Sequence, residues 1–285
     1  MNRMWLVLAM ALMSGCVTTP IQKPVDPVVQ PIVETVSGAS NRVAVCVGLT
    51  AVDPAKYDGW NGICPGCDVD ANGLFGFCVS NGISARLILN SSATWKVVRS
   101  AITNAASGLK SGDLIIVTIS GHGGQLPDDN GDEEDGLDET ICLWDGQVRD
   151  DEVLKMINSL PHGIRLVLIN DQCHSEGNFR SFVRYTQRIV SLGTWGKKKG
   201  RKISNRELPW SGQLIQFAGC REASYSFGGN SGGTWTQSLL KSYHSEMSWR
   251  QWFDSAFLLM PGNQVPQWVE YGPVNDTFRS GPALK

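Results

Sequence analysis

Leu114-Ile115-Ile116-Val117-Thr118-Ile119-Ser120-Gly121-His122-Gly123-Gly124-Gln125 and Ile164-Arg165-Leu166-Val167-Leu168-Ile169-Asn170-Asp171-Gln172-Cys173-His174-Ser175 are built alike. Each begins with a short run of aliphatic and β-branched residues, the pattern of a strand buried on both faces of a parallel sheet. Each ends in polar residues just past that run. In an open α/β sheet, ligands bind at the carboxyl ends of the strands. One end offers an imidazole, His122, and the other a thiol, Cys173. Together they describe a nucleophile with a base beside it.

Working outward, strands and helices alternate. Arg42–Leu49 reads as the first strand, and a Gly- and Cys-rich loop leads into a helix near 69–79. A short strand at 85–89 precedes a helix over 92–106, with Ser91 or Ser92 at its N-cap. Asp150–Ser159 is helical and opens on acidic residues, which suit a helix N-terminus. After 164–169, the segment 178–210 reads as a long mobile loop, followed by a strand at 213–217, helices at 234–243 and 248–260, and a last short strand at 267–269. Such alternation predicts a mostly parallel sheet of about six strands, covered on both faces as a three-layer α/β/α sandwich.

The chain has 285 residues, 42% of them apolar, a formal net charge of −2 and a pI near 6.1. That is ample for a packed core and offers no basic excess for nucleic acid. The N-terminus reads as a targeting segment. Arg3 precedes the apolar stretch Met4–Met13, which is short for a membrane span, and Met13-Ser14-Gly15-Cys16 follows. Small residues before a cysteine resemble a bacterial lipoprotein signal. That resemblance implies cleavage before Cys16, acylation of Cys16, and an exported, membrane-anchored protein. The expected organisation is a signal over 1–15, an extended tether over 16–40 and a folded domain over 41–285.

An exported location permits disulfides. Cys64-Pro65-Gly66-Cys67 has CxxC spacing without the further ligands of a zinc site, so a loop disulfide and free thiols both stand open. The pairing of Cys46, Cys78, Cys142 and Cys220 is equally open.

Two motifs become more specific when read together. "SGHGGQ", then "DGLDETI", "DDE" and "DQCHS", with about 50 residues between His and Cys, resemble the caspase-like peptidases of the metacaspase branch (peptidase C14). The resemblance runs from Arg42 to Val269. It implies a caspase-like fold and a cysteine endopeptidase with His122 and Cys173 as its dyad. Gly123 and Cys173 are the expected oxyanion donors through their backbone N–H groups. It also implies a pocket for the residue before the scissile bond, lined by Asp171, by Asp70 in Gly66-Cys67-Asp68-Val69-Asp70-Ala71, and by Ser120. Two carboxylates around one slot favour a guanidinium or ammonium, so cleavage after Arg or Lys is expected. The segment 178–210, with Arg180, Arg184, Arg188 and Lys197–Lys199, is then a self-processing site.

The resemblance further implies calcium, held by Asp138, Asp150 and Asp151. The acidic run Asp128–Glu139 lacks the EF-hand register, and the other reading is a simply solvated loop with Asp150 and Asp151 capping a helix. The sequence departs from the family at two positions. Arg180 stands where a further calcium-binding aspartate is expected, and Glu176 replaces a glycine beside the thiol. No cofactor is required for the chemistry, and a monomer acting on protein substrates is expected. The rival readings are a catalytically silent caspase-like binding module and a calcium-binding surface lipoprotein.

Overall fold

The computed structural model describes residues 32–35, 40–129, 137–172, 210–219, 228–262 and 264–285. Its centre is a seven-stranded sheet in which four neighbouring pairs are parallel. The order across it is β1 (Val33–Glu34), β3 (Ser84–Leu89), β2 (Arg42–Gly48), β4 (Leu114–Ser120), β8 (Arg165–Asp171), β9 (Gln213–Ala218) and β12 (Gln267–Tyr271). Both edge strands, β1 and β12, run antiparallel to their neighbours. The expected three-layer α/β architecture is present, with one strand more than expected.

Alternate side chains of each parallel strand enter different cores, which is why these strands read as unbroken apolar runs. Val45, Val47, Ile115, Val117, Leu166 and Leu168 join one core with the helices α2 (Trp95–Ala106) and α3 (Asp150–Asn158). Ala44, Cys46, Leu114, Ile116, Val167 and Ile169 face the other, under α1 (Cys67–Ser80), α4 (Thr234–Ser242), α5 (Trp249–Phe257) and the short α6 (Asp276–Ser280). That second core is aromatic. The Phe217 ring lies 5.4–6.5 Å from those of Trp235, Trp249, Trp252 and Phe253.

Helix α2 begins later than the sequence suggests. Asn90, at φ +48°, turns residues 90–92 into a 3-10 segment, and Thr94 is the cap, accepting from the Val97 N–H at 3.3 Å. Helix α5 is opened by a capping box between Ser248 and Gln251 and ends at Phe257, before the expected Met260. The strand β12 runs to Tyr271, two residues past its expected end.

A second, antiparallel sheet was not foreseen. It comprises β5 (His122–Pro127), β6 (Leu137–Leu143) and β7 (Gly146–Arg149), in that order. The β6–β7 turn closes over Trp144-Asp145, with Gly146 at φ +146°. A minor ladder pairs β10 (Gly228–Gly229) with β11 (Gly232–Gly233). Among the described residues no helix is long and apolar enough to cross a membrane. The expected signal over 1–15 and its acylated Cys16 lie outside the described residues, as do most of the tether and nearly all of the basic segment 178–210.

Candidate active site

The carboxyl ends of β2, β4 and β8 are level. Gly48 pairs with Ser120, and Ser120 with Asp171. A Cβ at Gly48 would lie 2.6 Å from both the Ala71 Cβ and the Cys67 carbonyl, so only glycine lets α1 rest directly on the end of β2. That close approach carries Asp70, in the first turn of α1, over the end of β4. Ser120 Oγ donates to Asp70 Oδ2 at 2.8 Å.

Asp70 and Asp171 are both buried, at 1% and 6% exposure. The Gly233 N–H donates to the Asp70 carboxylate at 2.8 and 2.9 Å. Asp171 Oδ2 accepts from the Thr236 N–H and hydroxyl, each at 3.0 Å, at the start of α4. A Cβ at Gly233 would stand 2.1 Å from Asp171 Oδ2 and 3.0 Å from Asp70 Oδ2. The expected trio Asp70, Ser120 and Asp171 is therefore brought together. Burial, and next the charge of Asp171, push the Asp70 carboxyl up to about 7. The bonds from Ser120, Gly233 and Gln237 pull in the opposite direction and do not offset this.

His122 is the first residue of β5, one glycine beyond β4. Its Nε2 lies 3.4 Å from the Ile63 carbonyl, and the Trp60 ring leans on its face at 4.9 Å between centroids. Its own carbonyl accepts from Gln172 Nε2 at 3.0 Å. The chain thus enters position 173 from a fully buried glutamine tied to the backbone of His122. Cys173 itself, and with it the expected dyad partner and oxyanion donor, lies outside the described residues, as do Glu176, Arg180 and Cys220. Gly123, the other expected oxyanion donor, follows His122 in β5 and lines a cleft beside it.

The partners Ile63, Trp60, Gln172, Gly233 and Thr236 escaped the sequence reading. Gln172 carried a usable signal, since a polar residue directly after a buried strand needs an internal partner.

The described cysteines divide cleanly. Cys64 and Cys67 form a disulfide, while Cys46, Cys78 and Cys142 are buried and form no disulfide among the described residues. A hydrogen bond with Cys46 and then burial push the Cys78 thiol well up, so it stays protonated and inert.

The acidic residues group differently from the calcium set expected. Asp138 clusters with Asp128 and Asp129, not with Asp150 and Asp151. Asp150 Oδ1 caps the Asp151 N–H at the head of α3, and Asp151 lies 3.7 Å from the Lys155 ammonium. The cation inside the cluster is a guanidinium: Arg149 is ion-paired and hydrogen-bonded to Asp138 and lies 3.5 Å from Asp129. A calcium ion would have to displace Arg149, so this arrangement does not fit one.

Comparison with known proteins agrees with the geometry. Residues 78–180 match the family model described as "Metacaspase, peptidase C14 domain". Metacaspase-2 of Arabidopsis thaliana is 34% identical over 142 residues, 47% of this chain and 34% of that protein. Metacaspase-1A of Aspergillus oryzae is 40% identical over 100 residues, 33% of this chain and 24% of that protein. The chain thus spans about a third or less of these relatives. A crystal structure of a Geobacter sulfurreducens protein superposes with a TM-score of 0.69 at 28% identity, covering 85% of this chain and 98% of that one. Caspase-1 of Spodoptera frugiperda superposes at 0.53 with 11% identity, covering 82% and 87%, a likeness of fold. Over residues 78–180 the chain is thus similar to the metacaspase peptidase C14 domain, and its α/β fold is caspase-like.

Proposed function

We propose that the protein is a cysteine endopeptidase that cleaves after Arg or Lys, with His122 and Cys173 as its dyad. The observation that carries this reading is the convergence of two buried carboxylates, Asp70 and Asp171, on Gly233 beside the strand end that holds His122. Two carboxylates in a desolvated slot favour a cation, and the planar guanidinium can meet both.

In this reading His122 takes the Cys173 proton and the thiolate attacks the substrate carbonyl carbon. The oxyanion is held by the N–H groups of Gly123 and Cys173. Collapse breaks the C–N bond, and His122 returns its proton to the leaving amine. A water, deprotonated by His122, then attacks the thioester, releasing the new carboxyl terminus and the thiol. The contact to the Ile63 carbonyl and the bond from Gln172 hold the imidazole and its backbone in place.

Calcium has no part in these steps. Asp138 would bind it only in exchange for Arg149, and Asp150 and Asp151 serve the start of α3. Acylation at Cys16, an exported membrane-anchored location, self-processing within 178–210 and action as a monomer on protein substrates complete the reading.

A peptidyl-arginine chloromethyl ketone tests it. One adduct, located by mass spectrometry on Cys173 and much reduced in Asp70→Asn, is expected. An adduct on another cysteine, or equal labelling by a peptidyl-aspartate reagent, would contradict it.

A further inference from the structure

A second cleft begins at Gly123, the residue after His122, and is bordered by Trp60. Its volume is about 590 Å³, and its lining includes Lys56, Tyr57, Asp58, Trp60, Gly123 and Gly124. None of Asp70, Ser120, Asp171 or Gly233 contributes to it. Trp60 joins the two regions, since its ring packs on His122 while 45% of the residue remains exposed.

The walls are preformed. Tyr57 donates its hydroxyl to the Leu143 carbonyl at 2.5 Å, and its ring meets Trp60 edge-on at 5.7 Å. Burial, first among its causes, pushes the Tyr57 phenol up and keeps it protonated as that donor. The Gly123-Gly124 stretch of β5 brings backbone without side chains to the cleft. The aromatic wall of Tyr57 and Trp60, in a lining that also holds Lys56, Asp58, Gln125 and Gln147, leaves space for a side chain that packs on the Trp60 ring.

We infer that this cleft receives the residue just after the scissile bond, and that Trp60 makes the protein favour a large apolar or aromatic residue there. The inference rests on the peptidase reading above. A substrate held by its basic residue at Asp70 and Asp171 must cross His122, because the imidazole has to protonate the leaving amine. A leaving segment that passes His122 meets the Trp60 ring packed against the imidazole and the cleft that Trp60 borders. An aromatic side chain buried there would share the exposed ring of Trp60, which otherwise faces water.

The test uses the full chain and internally quenched peptides that share Arg before the scissile bond and carry Phe or Gly after it. Wild type is expected to cleave the Phe peptide with a kcat/KM about tenfold higher, the scale of discrimination by one apolar pocket. Trp60→Ala should bring that ratio near one, and Trp60→Phe should largely restore it. Because Trp60 also supports His122, its removal can slow both peptides, but a purely supporting role leaves their ratio unchanged. Equal cleavage of both peptides by wild type, or an unaltered ratio in Trp60→Ala, overturns the subsite and leaves the peptidase standing. Cleavage of neither peptide by folded wild type overturns the peptidase reading and the subsite with it.

Discussion

Asp70 and Asp171 reach the same glycine from two different layers of the fold, one from the first turn of α1 and the other from the end of β8. At Gly233 their nearest carboxylate oxygens would stand only 3.0 and 2.1 Å from an added Cβ. After burial, the charge of Asp171 is the next cause that raises the Asp70 carboxyl.

Asp70→Asn should lower kcat/KM for Arg and Lys peptides on the order of 100-fold, the scale for losing one partner of a buried charged contact. Fluorogenic peptides differing only in the residue before the scissile bond check this. Equal loss for Arg and for uncharged substrates would move Asp70 from specificity to support.

The elevated Asp70 carboxyl also sets a pH dependence. A carboxyl raised in the folded state binds its proton more tightly there than in the unfolded chain. Its contribution to stability is full below about pH 4, the unfolded value, and is lost as pH rises to about 7. Urea midpoints across that window should fall in wild type and flatten in Asp70→Asn. Affinity for a basic substrate runs the other way, rising as Asp70 ionises. A midpoint that climbs over the same window would contradict the burial argument.

Gly233→Ala should abolish cleavage after Arg and Lys, because its Cβ would press on Asp171 Oδ2. The cost in stability should be about 1–3 kcal/mol, the range for overpacking. Retained specificity would show that the slot lies elsewhere.

Arg149→Gln removes the guanidinium from Asp138, which is buried. Leaving a buried carboxylate unpaired should cost about 3 kcal/mol. Added calcium should recover part of that loss in the variant while leaving the wild-type melting temperature unchanged. Calcium stabilisation of wild type would show that the ion displaces Arg149.

Trp252 is fully buried, donates through Nε1 to the Leu239 carbonyl at 2.9 Å, and packs against Phe217, Tyr243 and Trp249. Trp252→Ala should destabilise the domain by about 3–5 kcal/mol, read by urea unfolding.

Much of this arrangement was legible in the sequence because local rules sufficed. The runs 114–119 and 164–169 are strands as written, and the helix over 150–158 starts on the acidic residues that mark it. Asp70, Ser120 and Asp171 were found from motifs, and their convergence follows from strand register together with Gly48. The β5–β6–β7 sheet is not legible in the sequence although Asp145-Gly146 is a hairpin signal, because Gly123 and Gly124 near the start of β5 carry no alternation. Gly233, Thr236 and Trp60 were invisible for another reason: each serves the site through contacts far along the chain that no local pattern records. The Asp138 grouping was misplaced because Arg149, the cation that organises it, reads as an ordinary helix-flanking residue.

The most direct measurement is turnover of fluorogenic peptides ending in Arg, Lys or Asp by the protein beside its Cys173→Ala variant, with and without calcium. Arg and Lys cleavage that vanishes in the variant and does not depend on calcium is the expected result. Cleavage after Asp, activity that survives Cys173→Ala, or no turnover by protein shown to be folded would contradict it.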